Sequence, residues 1–304
     1  MTDFVTFGLI LDDLCLADGR RFAGVLGGGG VQTAFGMALW SGSVGLAARV
    51  GADLDPAAWA WLRASGLDLT GLVTTEWPTL RALQRLDAAG RRAHEWRVPG
   101  PAIGAQLARS VAALPPGYRQ ARGVHLGLHP EEPDLALLAD LRALGAALSV
   151  EPFRRAECPL SPAELRALVS AADIFSPNIA GAVSLVGEGE PLALARRLGE
   201  AGAPVVALRM GAQGSLVYQA STGVAWRLPA VPVEVAQPVG AGNAYCGGFL
   251  TGWVATGDLR AAGLRGAVSA SFVLEQVGLP LPSAELRAAA QARYAALSAR
   301  ARLA

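Results

Sequence analysis

The sequence predicts one α/β domain over residues 1–304, with a mostly parallel central sheet, helices on both faces and a small β-lid. Strand-length apolar runs alternate with helix-like segments from about residue 104 onward, a pattern typical of parallel βαβ units. Right-handed crossovers between such units place helices on both faces of the sheet. Two segments, near 14–25 and 73–100, instead have hairpin-like alternation, which indicates a lid outside the main sheet.

The N-terminal half opens with an apolar run at residues 4–11, which predicts a buried strand. Asp12 and Asp13 follow it, where α/β folds place ligand-binding side chains, although turn carboxylates are also common. The glycine run at residues 27–30 precedes a helix that ends near Trp40. An isolated glycine run indicates a linker, but its position between a hairpin and a helix favours a loop with an uncovered backbone.

The remaining elements follow from hydrophobic periodicity, turn residues and helix-start signals. Helices are predicted at 55–65, 104–113, 133–144, 162–170, 190–200, 244–255, 258–277 and 283–301. Strands are predicted at 43–50, 122–128, 146–150, 204–209 and 215–219, with a short strand or extended segment at 231–236.

Residues 237–243, with the sequence Gln-Pro-Val-Gly-Ala-Gly-Asn, join that extended segment to an apolar helix. Gly240 and Gly242 leave backbone N–H groups without side-chain cover. The helix N-terminus adds its own unpaired N–H groups and the positive end of its dipole. The stretch therefore predicts an anion site suited to phosphate, with an ordinary tight turn as the alternative.

All 26 basic residues are arginine, because the chain contains no lysine. This composition excludes the P-loop lysine, the protein-kinase lysine and Schiff-base chemistry. A phosphate site in this chain must therefore use backbone amides, arginine or a metal ion.

The overall charge of +1 and the absence of basic clusters predict no nucleic-acid or anionic-membrane partner. No apolar run approaches the roughly 18 residues of a membrane span. The N-terminal residues lack a basic signal-peptide region, and three widely spaced cysteines suit a reducing, cytoplasmic location. The three histidines form no HExxH motif, and no metal-ligating residue is predicted.

The 237–243 stretch resembles the C-terminal signature of the PfkB/ribokinase family of carbohydrate kinases, Asp-Thr-x-Gly-Ala-Gly-Asp. The matching Gly240, Ala241 and Gly242 imply an anion hole for the transferring phosphoryl group. Two positions depart from the signature. Gln237 stands at its first Asp, and Asn243 stands at the Asp that serves as catalytic base.

The N-terminal glycine run resembles the other signature of this family, Gly-Gly-x-Gly-x-Asn, with Gln32 at the Asn position. The resemblance implies that Gly27, Gly28, Gln32 and Asp13 bind the acceptor substrate. The sequence Gly-Ala-Asp at residues 51–53 is similar to a further conserved corner of the family.

Two stretches resemble the nucleotide side of a family member. Asn178 matches the first residue of the Asn-x-x-Glu motif, whereas Gly181 replaces its Glu, which implies ATP with a weakened Mg²⁺ site. The strand and turn containing Arg209, Gly211 and Gly214 resemble the segment that carries the nucleotide.

The resemblance also implies a ribokinase-like three-layer fold. Family members often pair through the lid, where Trp77, Leu80, Leu83 and Trp96 predict an apolar surface and hence a homodimer.

The expected function is ATP-dependent phosphoryl transfer to a sugar or nucleoside hydroxyl, with low activity because Asn243 cannot act as a base. A non-catalytic nucleotide- or sugar-binding protein of the same fold is the alternative. An NAD-dependent Rossmann dehydrogenase is disfavoured, because the glycine run lacks GxGxxG spacing and follows a hairpin.

Overall fold

The structure is a computed structural model that describes residues 2–87 and 92–304. Its strands are β1 Phe4–Phe7, β2 Ile10–Cys15, β3 Arg21–Gly27, β4 Val44–Gly51, β5 Leu72–Thr75, β6 Arg81–Leu86, β7 Arg92–Trp96, β8 Gly123–Leu128, β9 Ala147–Pro152, β10 Ile174–Phe175, β11 Val205–Arg209, β12 Ser215–Gln219, β13 Ala225–Leu228 and β14 Arg302–Leu303. Its helices are α1 Gly29–Ala38, α2 Pro56–Ala64, α3 Gly100–Leu107, α4 Leu135–Ala143, α5 Pro162–Ser170, α6 Ile179–Val186, α7 Pro191–Glu200, α8 Ala241–Thr256, α9 Leu259–Leu274 and α10 Ala284–Ser298.

The large sheet has the strand order β14-β13-β12-β11-β10-β9-β8-β1-β4-β5. From β5 to β11 every neighbouring pair is parallel, and β12, β13 and β14 extend the sheet with antiparallel pairs. The predicted α/β class with a mostly parallel sheet and flanking helices is confirmed. The carboxyl ends of the parallel strands therefore lie along one edge, where α/β folds bind ligands.

Two apolar clusters cover the opposite faces of this sheet. One is formed largely by α1, α8 and α9, and the other by α4, α5 and α7. Within the first cluster, α1 and α8 cross at backbone contact. A Cβ on Gly36 would lie 2.2 Å from the Ala244 carbonyl oxygen, and one on Gly247 would lie 2.2 Å from that of Thr33. These glycines bring the first turns of the two helices together.

The second sheet has four strands in the order β3-β2-β6-β7, and we call it the lid. The prediction of one strand over residues 4–11 was wrong, because the chain turns at Gly8, whose φ of +98° is costly for other residues. Asp12 and Asp13 therefore lie on β2 of the lid, not in a loop after β1. The lid also excludes residues 72–75, which pair with β4 in the large sheet.

Several local predictions also differ from the structure. Of the two alternatives predicted for residues 231–236, the short strand does not form, and Pro232 lacks the N–H that a ladder requires. The helix predicted at 104–113 is replaced by α3 and a short 3₁₀ turn at Val111–Ala113. The unpredicted α6 begins at Asn178, whose side-chain oxygen accepts a hydrogen bond from the Gly181 N–H at 2.7 Å.

The apolar side chains expected on the lid surface are partly internal. Leu80 and Leu83 are buried within the single chain, and Trp77 and Trp96 are half-buried. These leucines therefore support the lid itself and do not provide an exposed contact surface. Across residues 2–87 and 92–304, no helix combines the length and the apolar character that crossing a bilayer requires.

Candidate active site

The N-terminus of α8 lies at the carboxyl edge of the large sheet and presents an uncovered backbone. Gly240 caps the helix with φ +88° and ψ −12°, and no side chain caps the first turn. A Cβ on Gly240 would lie 2.2 Å from the side-chain Cδ of Gln32. Glycine is thus required both by the backbone angle and by the neighbouring side chain. The N–H groups of this half-buried first turn can bind an anion.

Gln237 holds the loop that leads into this helix. Its Oε1 accepts a 2.6 Å hydrogen bond from the Val239 N–H, and its Nε2 donates to the carbonyl oxygens of Val239 and Val273. The side chain is buried. Gln237 therefore acts as a neutral clamp on the backbone at the position of the family signature's first Asp.

Asn243 meets Gln32, so the two signature stretches come together. Asn243 Nδ2 donates a 2.7 Å hydrogen bond to Gln32 Oε1, joining the first turns of α8 and α1. Gly29 borders the same place, because a Cβ there would lie 3.7 Å from Asn243 Nδ2. An amide at residue 243 can orient a neighbouring group but has no basic oxygen at neutral pH.

Asp12 lies beside the glycine run. A Cβ on Gly27 would lie 2.5 Å from Asp12 Oδ2 and 3.2 Å from Gln32 Nε2, so both side chains converge there. Gly28 is held at φ +84° against the backbone of Ile10. Burial raises the pKa of Asp12 to about 6, although a hydrogen bond with Gln84 acts in the opposite direction. The Asp12 Oδ1 atom is buried without a hydrogen-bond partner.

Asp13, which the resemblance assigns to substrate binding, contacts a different group. Its Oδ1 accepts a 2.9 Å hydrogen bond from the Gly24 N–H in the lid hairpin. The pairing of β2 with β3 is irregular between Asp12 and Leu14. Asp12, Gly27 and Gln32 therefore converge, and Asp13 holds the lid hairpin through its Oδ1. A role of Asp13 in substrate binding stays a prediction, and Asp12, its neighbour in the sequence, is a further carboxylate beside the glycine run.

The predicted nucleotide turn connects β11 to β12. Gly211 has φ +58° and open space at the Cβ position, whereas Gly214 has φ +84° and a Cβ there would lie 2.0 Å from the Leu228 carbonyl oxygen. Asn178 is adjacent, because it forms a parallel bridge with Arg209. Gly181 lies in the first turn of α6, where a Cβ would lie 3.3 Å from Asn178 Oδ1.

Arg209 is held beneath the start of α8 by a buried ion pair. Its Nη2 lies 2.8 Å from Glu151 Oε2 at the end of β9 and donates to the Ser176 carbonyl oxygen at 2.8 Å. Burial alone would raise the pKa of Glu151, but Arg209 and His125 together lower it to about 2. In the sequence, Glu151 directly follows the apolar strand predicted at 146–150, which marks it as a carboxylate at a strand end. The sequence alone does not identify Arg209 as its ion-pair partner.

His125 and Cys246 complete this buried cluster. With Glu151 they place one nitrogen, one oxygen and one sulfur within 4.8 Å of one another. Burial raises the pKa of the Cys246 thiol to about 12, so the sulfur is protonated at neutral pH. Arg209 already neutralises Glu151. The cluster is therefore a buried ion-pair network with a neutral thiol, which does not match a pre-ionised metal site.

Comparisons with known proteins agree with this architecture. The chain is 30% identical over 280 residues to the cytidine kinase of Thermococcus kodakarensis, covering 91% of this chain and 98% of that protein. Among solved structures, a PfkB protein from Polaromonas sp. JS666 superposes with a TM-score of 0.70 at 24% identity, covering 95% of this chain and all of the other. Arabidopsis thaliana ribokinase complexed with ribose and ATP superposes with a TM-score of 0.74 at 18% identity, covering 97% of this chain and 99% of the ribokinase chain.

The family described as pfkB family carbohydrate kinase matches residues 1–285. This match spans the lid, the glycine run before α1 and the N-terminus of α8. The chain therefore belongs to the pfkB family of carbohydrate kinases.

Proposed function

We propose that this protein binds ATP and transfers its terminal phosphoryl group, slowly, to a hydroxyl of a sugar or nucleoside. The observation that carries the proposal is the contact between Gln32 and Asn243. It places the loop expected to bind the acceptor against the helix N-terminus expected to bind phosphate. The similarity to a cytidine kinase favours a nucleoside as acceptor, and the similarity to a ribose- and ATP-bound ribokinase agrees with the nucleotide.

The phosphate would lie on the N–H groups of the first turn of α8. Gly240 and Gly242 have no side chains of their own to cover these groups, and the helix dipole favours the negative charge of the transferring group. The nucleotide would extend toward Gly211, Gly214 and α9. The acceptor would lie among Asp12, Gly27 and Gln32, where the unpartnered Asp12 Oδ1 can accept a hydrogen bond from a hydroxyl.

Magnesium would be held less firmly than in a family member with the complete Asn-x-x-Glu motif. Asn178 supplies an amide oxygen that already accepts from the Gly181 N–H, and Gly181 supplies no carboxylate. Glu188 and Glu190 come after the end of α6, seven and nine positions beyond Gly181, too far along the chain to be a simple shift of the motif's Glu. Mg²⁺ neutralises phosphate charge during phosphoryl transfer.

Low activity is expected because residue 243 is an amide. General-base assistance is typically worth about 10² to 10⁴ in rate, whereas the backbone anion hole does not depend on this side chain. Asp12 is a carboxylate that converges with Gln32 at Gly27, on the acceptor side of the proposed site. The remaining groups would still orient the acceptor hydroxyl toward the phosphate.

A second function, nucleotide or sugar binding without transfer, is favoured by one specific observation. Gln237, Asn243 and Gly181 all stand where the family motifs carry an acidic residue. The first two side chains are instead engaged in amide hydrogen bonds. Selection for binding alone would retain the glycine framework without retaining these carboxylates.

The test is calorimetry with ATP and magnesium, followed by an assay of ADP formation with cytidine, other nucleosides, ribose and fructose. We expect ATP binding and acceptor-dependent turnover well below the usual kinase range of about 1–100 per second. Turnover within that range would contradict the proposed low activity. Binding of ATP without acceptor-dependent ADP would favour the second function, and no ATP binding would contradict the first function and the nucleotide-binding form of the second.

The homodimer through the lid stays a prediction. Because Leu80 and Leu83 are buried in one chain, pairing through the predicted side chains would use the half-buried Trp77 and Trp96, together with exposed residues of the lid such as those of β7. Light scattering at micromolar concentration should give twice the 31.2 kDa chain mass. A monomeric mass would contradict the prediction.

A further inference from the structure

Arg209 lies against the first turn of α8, the helix whose N-terminus forms the proposed anion site. A Cβ on Gly242 would lie 2.1 Å from Arg209 Nη1. Side chains of an α-helix project toward its N-terminus, so the space that a residue-242 side chain would occupy lies on the N-terminal side of that turn. The Arg209 guanidinium fills this space. A larger residue at position 242 would therefore clash with Arg209, in addition to covering the backbone N–H groups of the turn.

Part of this guanidinium remains available for a ligand. Nη2 makes the contacts with Glu151 and the Ser176 carbonyl, whereas Nη1 is the nitrogen that lies against Gly242 at the start of α8. Nε is buried without a hydrogen-bond partner, so Nη1 is the donor that a ligand at this helix would meet. The side chain is 12% exposed. Although burial would lower the pKa of Arg209, the negative charge of Glu151 contributes to a net rise, so the group is cationic at any relevant pH.

We propose that Arg209 contacts the phosphate bound at the N-terminus of α8 and supplies it with a full positive charge. This inference rests on the proposed function, because it requires the phosphate to lie on that helix. The chain contains no lysine, and its Asn-x-x-Glu motif lacks the carboxylate that would help to hold Mg²⁺. Arginine is the remaining cationic side chain, and its guanidinium binds phosphate oxygens through charge-assisted hydrogen bonds.

Glu151 acts as the positioning residue for this cation. Its ion pair to Nη2 and the hydrogen bond to the Ser176 carbonyl fix the guanidinium plane, while Nη1 stays against Gly242. The pair also keeps the local charge close to neutral when no anion is bound. A phosphate arriving at α8 would therefore meet a preorganised donor.

The experiment compares wild type with Glu151→Gln and with the double variant Arg209→Gln/Glu151→Gln. The double variant removes both charges together and leaves no unpaired buried charge. Arg196→Gln on the exposed surface of α7 is the matched control for losing one arginine. Circular dichroism establishes that each variant is folded. Calorimetry then measures binding of inorganic phosphate, ATP and adenosine, the last lacking any phosphate.

We expect the double variant to bind phosphate and ATP about 10- to 100-fold more weakly than wild type, because a charge-assisted hydrogen bond is lost. Adenosine affinity should change by less than about twofold. Glu151→Gln, which frees the arginine from its counter-ion, should bind phosphate at least as tightly as wild type. Arg196→Gln should match wild type for all three ligands.

The outcomes separate this inference from the proposed function. Phosphate affinity of the double variant within about twofold of wild type would overturn the role of Arg209. If wild type binds phosphate but not ATP, the proposed nucleotide function fails, and the phosphate titrations still decide the role of Arg209. Failure of wild type to bind either ligand would overturn both.

Discussion

Asn243 Nδ2 and Gln32 Oε1 lie 2.7 Å apart and join the two signature stretches of the chain across 211 positions. The bond forms because α1 and α8 approach to backbone contact at Gly36 and Gly247. Both partners are neutral amides at positions where the family signatures carry Asn and Asp. On the proposed function, this contact would hold the acceptor loop against the phosphate site, and residue 243 would carry an amide where the family signature carries the proton-accepting Asp.

The first prediction concerns Asn243→Asp. A carboxylate at this position could accept a hydrogen bond from Gln32 Nε2 after rotation of the amide, and it could also take a proton from the acceptor hydroxyl. We expect turnover to rise by about 10² to 10⁴ on the best acceptor of the panel, with ATP affinity little changed. Steady-state kinetics measures the change.

Asn243→Ser is the control for this substitution, because it also replaces the amide but introduces no base at neutral pH. It should not exceed wild-type turnover. Equal rates for wild type and Asn243→Asp would show that residue 243 is not the missing base.

The second prediction follows from the buried Asp12. The pKa of this carboxyl is raised from 3.8 to about 6, so the folded state binds more protons than the unfolded state between those values. Stability is therefore highest below pH 3.8 with respect to this group and falls as the pH rises through 6. Asp12→Asn should raise the free energy of unfolding at pH 7.5 by up to about 3 kcal/mol.

Urea denaturation at pH 4.5 and 7.5 measures the difference, which should be smaller at the lower pH. Asp140→Asn on the exposed face of α4 is the control and should change stability by less than about 0.5 kcal/mol. Acceptor binding should weaken in Asp12→Asn if this carboxylate binds a hydroxyl. A variant that is less stable than wild type at pH 7.5 would contradict the prediction.

The sequence was sufficient for the fold class and for the loop at Gly240, because both depend on local patterns. Glycines before an apolar helix leave backbone N–H groups free wherever the helix lies. The position of Asp12 could not be predicted in the same way. It depends on the turn at Gly8 and on pairing of β2 with β3 and β6, which are set by tertiary contacts.

The buried pair of Glu151 and Arg209 was also beyond sequence reasoning. The two residues lie at the ends of β9 and β11, which are separated by β10 in the sheet. Their contact requires the strand order and the length of the arginine side chain. Arg209 could be assigned to the nucleotide turn by resemblance, but its contact with Gly242 could not.

The third prediction compares two glycines of the same turn. Gly214→Ala should be strongly destabilising, because its Cβ would lie 2.0 Å from the Leu228 carbonyl oxygen at a backbone angle of φ +84°. Gly211→Ala should cost only about 1–2 kcal/mol, because φ is +58° and the Cβ position is open. Thermal denaturation of both variants shows which substitution causes the larger loss of stability. A smaller loss for Gly214→Ala than for Gly211→Ala would contradict the prediction.

The last prediction concerns the single variant Arg209→Gln. Without the guanidinium at 2.8 Å, Glu151 remains a buried carboxylate whose basic neighbour is the His125 ring, with Nε2 at 3.7 Å from Glu151 Oε1. Removing one partner of a buried ion pair typically costs about 3–5 kcal/mol, so this variant should be much less stable than wild type at pH 7.5. The double variant with Glu151→Gln should recover most of the loss, since it leaves no buried charge. Urea denaturation of wild type, Arg209→Gln, Glu151→Gln and the double variant gives the interaction free energy between the two side chains.

The contribution of Glu151 to the pH dependence of stability should have opposite signs in Arg209→Gln and in wild type. In wild type the pKa of Glu151 is lowered to about 2, so its stabilising contribution is present above the unfolded value of 4.5 and is lost as the pH falls toward 2. Without Arg209, burial should raise the pKa of Glu151 above 4.5, and protonation would then stabilise the folded state. The stability deficit of the single variant should therefore shrink between pH 7.5 and 4.5. A deficit that is constant over this range would show that Glu151 is not charged in the variant or that its burial is relieved by rearrangement.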